Sequence, residues 1–287
     1  MLRVAIRVAR ADAELVLAEL LELAPGGVEE VDVDPDTVEY AVYGAVGELP
    51  ELPDLQAAAQ GAGGALVSVS TSEVADDWAD RWREFHRPLV IETAGPAGGR
   101  VPALTVRPPW EPPADEGLDV VIDPGRAFGT GAHATTALCL ELLLDEADRP
   151  GRGACVDLGC GSGVLAIVAA LLGHAPVLAL DYDPLAVQAT SENGARNGIS
   201  PAILEVRRFD LREEQVPDAE LVVANVLAGP LLGWAGSQVR MPPQLILSGL
   251  LVGEADRVSE AYARRGMRER ERRVRGEWAA LALRRAE

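Results

Sequence analysis

Apolar and polar positions change rhythm along this chain, and each change marks an element. "LRVAIRVA" (2–9) alternates apolar with charged residues, the period of a half-buried strand. "DAELVLAELLELAP" then repeats its apolar residues at helical spacing until Pro25 and Gly26 stop it. "VEEVDVD" and "TVEYAVYG" read as two further strands, separated by the turn residues "PD". A weaker helix, "LPDLQAAAQGAGG", and a strand, "ALVSVSTSEV", complete β-α-β-β-α-β over residues 1–74, the order of a ferredoxin-like module. "DDWADRWREFHRPL" reads as a short amphipathic helix closed by Pro88. Pro- and Gly-rich punctuation ("AGPAGGRVP", "RPPWEPPADEG") then surrounds one short strand, "ALTV". These signals place a linker over residues 75–95 and a second domain over 96–287.

From about residue 152 strands and helices alternate regularly. "ACVDLG", "PVLALD", "AILEVRRF", "AELVVANV" and "QLILSG" have strand character, and "SGVLAIVAALLG", "PLAVQATSENGARNG", "LAGPLLGWAGSQV" and "GEADRVSEAYARRG" have helical spacing. Two strand-like runs, "MRERERRVR" and "WAALALRR", end the chain. This order predicts an α/β fold: a doubly wound, mostly parallel sheet with an antiparallel hairpin at one edge. Ligands of such sheets bind beyond the carboxyl ends of the strands, so the chemistry is expected after Asp157, Asp181 and Asn225.

Composition narrows the classes. The 287 residues carry 45 acidic and 26 basic side chains, a net charge of −19, which disfavours direct binding to bare nucleic acid and suits a cationic partner. Good solubility is the plainer consequence of the same charge. Every basic residue is arginine; the chain has no lysine. Glutamates interrupt the N-terminal apolar run before it reaches the length of a signal segment or membrane span, so a cytoplasmic, membrane-free monomer is expected. Cys139, Cys155 and Cys160 are odd in number and lack paired C-x-x-C spacing; they read as reduced packing residues, with no metal site. In "RRGMRERERRVRG", strand alternation would place Met267, Glu269, Glu271 and Arg273 on one face and Arg268, Arg270 and Arg272 on the other. Its interleaved glutamates predict a solvated edge rather than a nucleic-acid surface.

Three strand ends carry candidate chemistry. In "VDLGCGSGVLAI", Gly159, Gly161 and Gly163 follow a strand and open a helix, so the backbone can turn tightly and approach a ligand; a simple strand–helix turn would look the same. Val164 stands where a dinucleotide fingerprint wants its last glycine, and Asp157 precedes the loop. Asp181 follows the glycines at about twenty residues, the distance at which a carboxylate receives ribose hydroxyls. Asp183, before Pro184, reads as a helix N-cap. Asn225 offers both an acceptor and a donor, and reads either as an orienting group for an amine or as a cap of the following helix. The loop and acid together leave two candidates: an S-adenosylmethionine enzyme or a nicotinamide-dependent oxidoreductase. A non-catalytic binding module could keep the same pocket.

"DPGRAFGTGAHATTALCLELL", "DLGCGSGVLAI", "LDYDPLAVQATSENGARNG" and "VVANVLAGPLL", in that order, closely resemble the PrmA family, the methyltransferases of large-subunit ribosomal protein eleven. "DDWADRWREFHRP", "PPW" (108–110) and "GEW" near the end support the likeness, which covers roughly residues 76–282. The resemblance implies a class I methyltransferase domain behind a small substrate-recognition domain. It also implies S-adenosylmethionine as cofactor and methyl transfer to lysine side chains and the N-terminal α-amine of a basic ribosomal protein. Another protein or nucleic-acid amine is the alternative substrate. Positions matching Thr136, Gly159, Asp181 and Asn225 contact the cofactor in that family. The "DPGRAFGTGAHATT" stretch (123–136) should then close over the methionine part, with Phe128 as an apolar wall, Gly129 and Gly131 permitting close approach, and Thr130, Thr135 and Thr136 offering hydroxyls. Asp157, Gly161 and Gly163 complete the expected cofactor set, Asn225 is the expected catalytic residue, and His133 reads as a satisfied loop histidine.

Overall fold

The computed structural model describes residues 2–13, 16, 17, 20, 28–34, 36–44, 66–73, 87–94, 100–124, 133–146 and 152–286. The expected helices "LPDLQAAAQGAGG" and "DDWADRWREF" lie outside them. The chain divides into two compact units, Met1–Phe85 and His86–Glu287.

In the first unit, β1 (Leu2–Ala9), β2 (Glu29–Asp32), β3 (Thr37–Gly44) and β4 (Leu66–Glu73) form an antiparallel sheet in the order β2-β3-β1-β4. That is the strand order of the ferredoxin-like module that the rhythm predicts. Alternation turns Val4, Ile6 and Val8 of β1, with Val38 and Tyr40 of β3, onto one face, where they bury Ala13, Val16 and Leu20 of the following helical residues. On the other face Arg3 and Arg7 each reach Glu39 at 2.6 Å. Burial opposes the charge of Glu39, yet the two guanidiniums hold its carboxyl below the ordinary range.

The second unit opens with a small sheet of which the rhythm announced only the strand "ALTV". β5 (Leu89–Ala94), β6 (Arg100–Arg107) and β7 (Leu118–Val121) form a small mixed sheet, antiparallel between β5 and β6 and parallel between β6 and β7. Residues 89–94 are therefore a strand and not linker. The correction has a physical cause: Ile91, Leu104, Val106, Val120 and Ile122 are buried in one core with the helices that follow.

The main sheet runs β10-β9-β8-β11-β12-β14-β13: β8 (Cys155–Leu158), β9 (Val177–Asp181), β10 (Leu204–Arg208), β11 (Leu221–Asn225), β12 (Gln244–Leu251), β13 (Met267–Arg275) and β14 (Trp278–Arg285). The first five are parallel to one another, and the last two form the expected antiparallel hairpin, which joins β12 antiparallel through β14. The helices are α1 (Ala134–Glu146), α2 (Val164–Leu171), α3 (Pro184–Arg196), α4 (Ala228–Ser237) and α5 (Val252–Ala263). Period-two alternation divides the buried residues: Leu221 and Val223 of β11 join the core of α1 and α2, whereas Val222 and Ala224 join the core of α4 and α5 around Trp234 and Tyr262. Asn225 therefore falls on the α1 side. The sheet order reverses between β8 and β11, which brings the ends of these two strands to the switch point where such sheets bind ligands.

One expected alternation fails. The β13 register slips between Glu269 and Glu271 opposite Leu283 and Ala282, so a bulge moves every later side chain to the other face. Arg272 thus joins the face of Glu269 and binds it and Asp256, while Arg273 joins Glu271 and meets Asp145 of α1. These acidic partners occupy two of the arginines that made a basic run in the sequence.

Candidate active site

β8 ends at the glycine loop. Gly159, Gly161 and Gly163 have φ of +76°, +52° and +84°, conformations that side-chain-bearing residues rarely adopt. Space excludes side chains as well: a Cβ on Gly159 would stand 2.4 Å from Val226 Cγ1, and one on Gly163 would stand 2.7 Å from Thr190. The loop is thus pressed between the strand end that carries Asn225 and helix α3.

Asp157 is brought beneath this loop and not to its surface. It is 1% exposed, and Oδ2 accepts the N–H of Ala166 in the first turn of α2, while Oδ1 is buried without a partner. Burial, with the charge of Asp181 nearby, pushes its carboxyl up to about 7. Asp157, expected among the cofactor contacts, is thus buried beneath the loop and bonded to the helix that follows it.

Asp181 ends β9 as expected. Its Oδ2 accepts the N–H of Gly161 and its Oδ1 that of Asp183, both at 3.0 Å. Burial raises its carboxyl pKa, and these N–H donors work against that rise. Three backbone N–H groups, of Gly161, Asp183 and Tyr182, act on a carboxylate that has about four acceptor sites, which leaves one for a ribose hydroxyl. Asp183 caps α3 by accepting Leu185 N–H at 2.9 Å, and Tyr182 between them is 66% exposed.

Asn225 is not a helix cap: α4 begins after Leu227, with no side chain capping it. Instead Asn225 Nδ2 donates to Thr136 Oγ1 at 3.1 Å, joining the strand end to the first turn of α1. Thr136 is itself 1% exposed, so it reaches the site through this amide. With Nδ2 engaged, Oδ1 is the acceptor that remains. The neighbouring backbone is fixed from behind: Val226 N–H donates to Ser248 O at 3.1 Å, and Gly249, at φ +83°, would bring a Cβ within 2.5 Å of Val226 O.

The "DPGRAFGTGAHATT" stretch (123–136) is described at its two ends, and Phe128, Gly129, Thr130 and Gly131 lie outside the described residues. At its far end His133 Nδ1 and the Thr135 hydroxyl are hydrogen-bonded at 2.8 Å, and the ring meets Trp278, of "GEW", edge-on with centroids 4.9 Å apart. Burial lowers the imidazole pKa. Thr135, expected to offer its hydroxyl to the amino-acid moiety, has that hydroxyl paired with the His133 ring.

Sequence reasoning missed the inward face of α3. Thr190, Asn193 and Asn197 recur at i, i+3 and i+7, a spacing that puts them on one side of the helix. The visible signal was a set of polar residues where a buried stripe wants apolar ones. The three cysteines are free and buried, which pushes their thiols well above the ordinary range.

The pocket residues fit an adenosyl cofactor: glycines that leave no room for Cβ atoms, a carboxylate at the β9 end and an amide at the switch point. The model of the family described as ribosomal protein L11 methyltransferase (PrmA) matches residues 6–286. The chain is 42% identical over 207 residues to a ribosomal protein L11 methyltransferase of Pseudomonas paraeruginosa, covering 70% of this chain and 66% of that protein. It is 41% identical over 227 residues to one of Pelotomaculum thermopropionicum, covering 77% of this chain and 70% of that protein. The matched part thus spans about two thirds of the length of these relatives. Among solved structures, a ribosomal protein L11 methylase of Lactobacillus delbrueckii subsp. bulgaricus superposes with a TM-score of 0.57 at 31% identity, covering 64% of this chain and 96% of that one. Site and matches agree, and the chain belongs to the PrmA family of S-adenosylmethionine-dependent methyltransferases.

Proposed function

We propose that this chain methylates amines of ribosomal protein L11, lysine side chains and the N-terminal α-amine, and that Asn225 receives the amine. The observation that carries this reading is the Asn225–Thr136 bond, which uses the donor end of the amide and leaves Oδ1 as an acceptor at the switch point. When bound, S-adenosylmethionine would supply an electrophilic methyl group on a sulfonium, whose sulfur would keep the C–S bonding pair when the methyl passes to an amine. An ammonium has no lone pair to attack with, and lysine is mostly protonated at neutral pH. An amide cannot remove that proton, so the amine must shed it before transfer. Oδ1 of Asn225 then accepts one N–H of the neutral amine and turns its lone pair toward the methyl carbon. Asp181 and the glycine loop hold the nucleoside end.

The relatives' name supplies the substrate class, and the first unit is its natural recognition module: it has its own core and an acidic run, "EEVDVDPD", suited to a basic protein. The enzyme is proposed to act as a cytoplasmic monomer without direct nucleic-acid contact. No helix among the described residues is long and apolar enough to cross a membrane.

The test is Asn225→Ala, assayed for single-turnover methylation of purified L11 at saturating cofactor. The rate should fall by about 10²-fold or more while cofactor affinity changes much less, because the lost contact matters most at the transition state. A stable variant that transfers methyl at the wild-type rate removes Asn225 from the chemistry. Wild-type enzyme that labels other ribosomal proteins but not L11 refutes the substrate.

A further inference from the structure

Helix α3 turns an unusual face inward. A helix packed on a sheet ordinarily buries an apolar stripe, and asparagine is a poor helix former. Here Thr190 and Asn193 are 0% and 1% exposed, and burying such groups costs free energy unless they are hydrogen-bonded. Both are bonded, to backbone. Thr190 Oγ1 donates to Gly161 O at 3.0 Å. Asn193 Nδ2 donates to Ser162 O at 2.9 Å, inside the glycine loop, and Asn193 Oδ1 accepts the N–H of Asp123 at 3.0 Å, where "DPGRAFGTGAHATT" begins. One turn on, Asn197 accepts Val121 N–H at 2.8 Å and donates to Val121 O at 2.7 Å, the two bonds a neighbouring strand would make with the end of β7. Arg196 adds an ion pair to the Asp123 carboxylate at 3.2 Å. The helix itself is set close: a Cβ on Gly194 would stand 2.8 Å from Leu204 Cδ2 of β10.

We infer that this face of α3 is a brace that sets the spacing between the glycine loop and the start of the "DPG" stretch, with Asn193 as its positioning residue. The inference rests on the cofactor reading of those two segments. Asn193 touches no reacting atom. It holds Ser162 and Asp123 at one separation before cofactor arrives, so the pocket does not have to be ordered at the expense of binding. Its loss should therefore appear in cofactor affinity and not in the transfer step.

Asn193→Ser, which keeps one short hydroxyl, and Thr190→Val, which keeps the shape and removes the donor, are compared with wild type and with Val258→Ala. Val258 is buried in α5 within the opposite core and reports on lost stability alone. Calorimetric titration with S-adenosylmethionine, single-turnover methylation at saturating cofactor and Tm are measured for each full-length protein. The brace requires a Kd at least tenfold higher in Asn193→Ser and severalfold higher in Thr190→Val, transfer rates within about threefold of wild type, and an unchanged Kd in Val258→Ala despite its lower Tm. Variants that lose Tm but keep the wild-type Kd would show a merely structural role and overturn the proposal. So would a collapse of the saturated rate at unchanged Kd. If Asn193→Ser does not fold, Thr190→Val decides by the same criteria. Wild-type protein that binds no S-adenosylmethionine would overturn the cofactor reading and the brace together, whereas a normal Kd in the variants overturns the brace alone.

Discussion

Replacing Asp157 by asparagine should stabilise the protein at pH 8 relative to pH 5, and the size of the effect follows from burial. The carboxyl is 1% exposed, one oxygen accepts the Ala166 N–H, the other has no partner, and the group titrates at about 7 instead of 3.8. A folded-state pKa raised above the unfolded value contributes stability fully below pH 3.8, and that contribution is lost as pH rises through about 7. The displacement of this titration corresponds to about 4 kcal/mol over the whole window, of which more than half falls between about pH 5 and pH 8. Asparagine keeps a carbonyl for Ala166 and does not titrate, so the wild-type minus variant difference isolates this one group from the other carboxylates. Urea unfolding of both proteins at pH 5, 6, 7 and 8 should show the variant gaining about that amount on wild type as pH rises. A difference that stays constant across the range would mean that Asp157 is ionised throughout, with a donor on Oδ1, and would refute the reasoning.

Two other predictions rest on separate observations. Asp181→Ala should abolish tight S-adenosylmethionine binding and also cost on the order of 2 kcal/mol of stability, because Gly161 and Asp183 N–H lose a charged acceptor; calorimetry and urea unfolding read the two effects, and unchanged affinity would remove Asp181 from the pocket. A chain without lysine offers an amine methyltransferase no side-chain amine of its own, so intact-mass analysis after long incubation with cofactor should show methylation at the N-terminal α-amine at most. Methyl groups mapped to internal positions would mean that the enzyme accepts something other than amines.

Much of the second unit was legible because its signals are local. Short apolar runs between helical segments became β8 to β12, glycines needing φ above zero sat where a strand turns into a helix, and Asp183 before Pro184 capped α3 as its chemistry predicts. What escaped the sequence was set by neighbours distant in the chain. Strand β5 owes its existence to burial of Ile91 beside Leu104, which no local rhythm announces. The bulge in β13 is invisible in "MRERERRVR", because alternation says which side chains share a face only while the register holds. Asp181 was expected to serve ligand alone. Its bonds to Gly161 and Asp183 show that a carboxylate at a strand end also anchors the loop beside it.

The deepest of these gaps concerns polar residues on buried faces. In "ATSENGARNG" a pattern reader sees an ordinary exposed helix, since Thr, Ser, Glu and Asn are all at home in water. Burial of Thr190 and Asn193 makes sense only once two irregular backbone segments lie against them, since those segments carry N–H and C=O groups that no strand or helix satisfies. The same logic explains Asn225 and Thr136, which meet at the switch point although 89 positions separate them in the chain. Around a pocket built from loops, the surrounding helices and strands must supply hydrogen bonds as well as apolar surface. Polar side chains at helical spacing just after a glycine loop are therefore evidence about that loop.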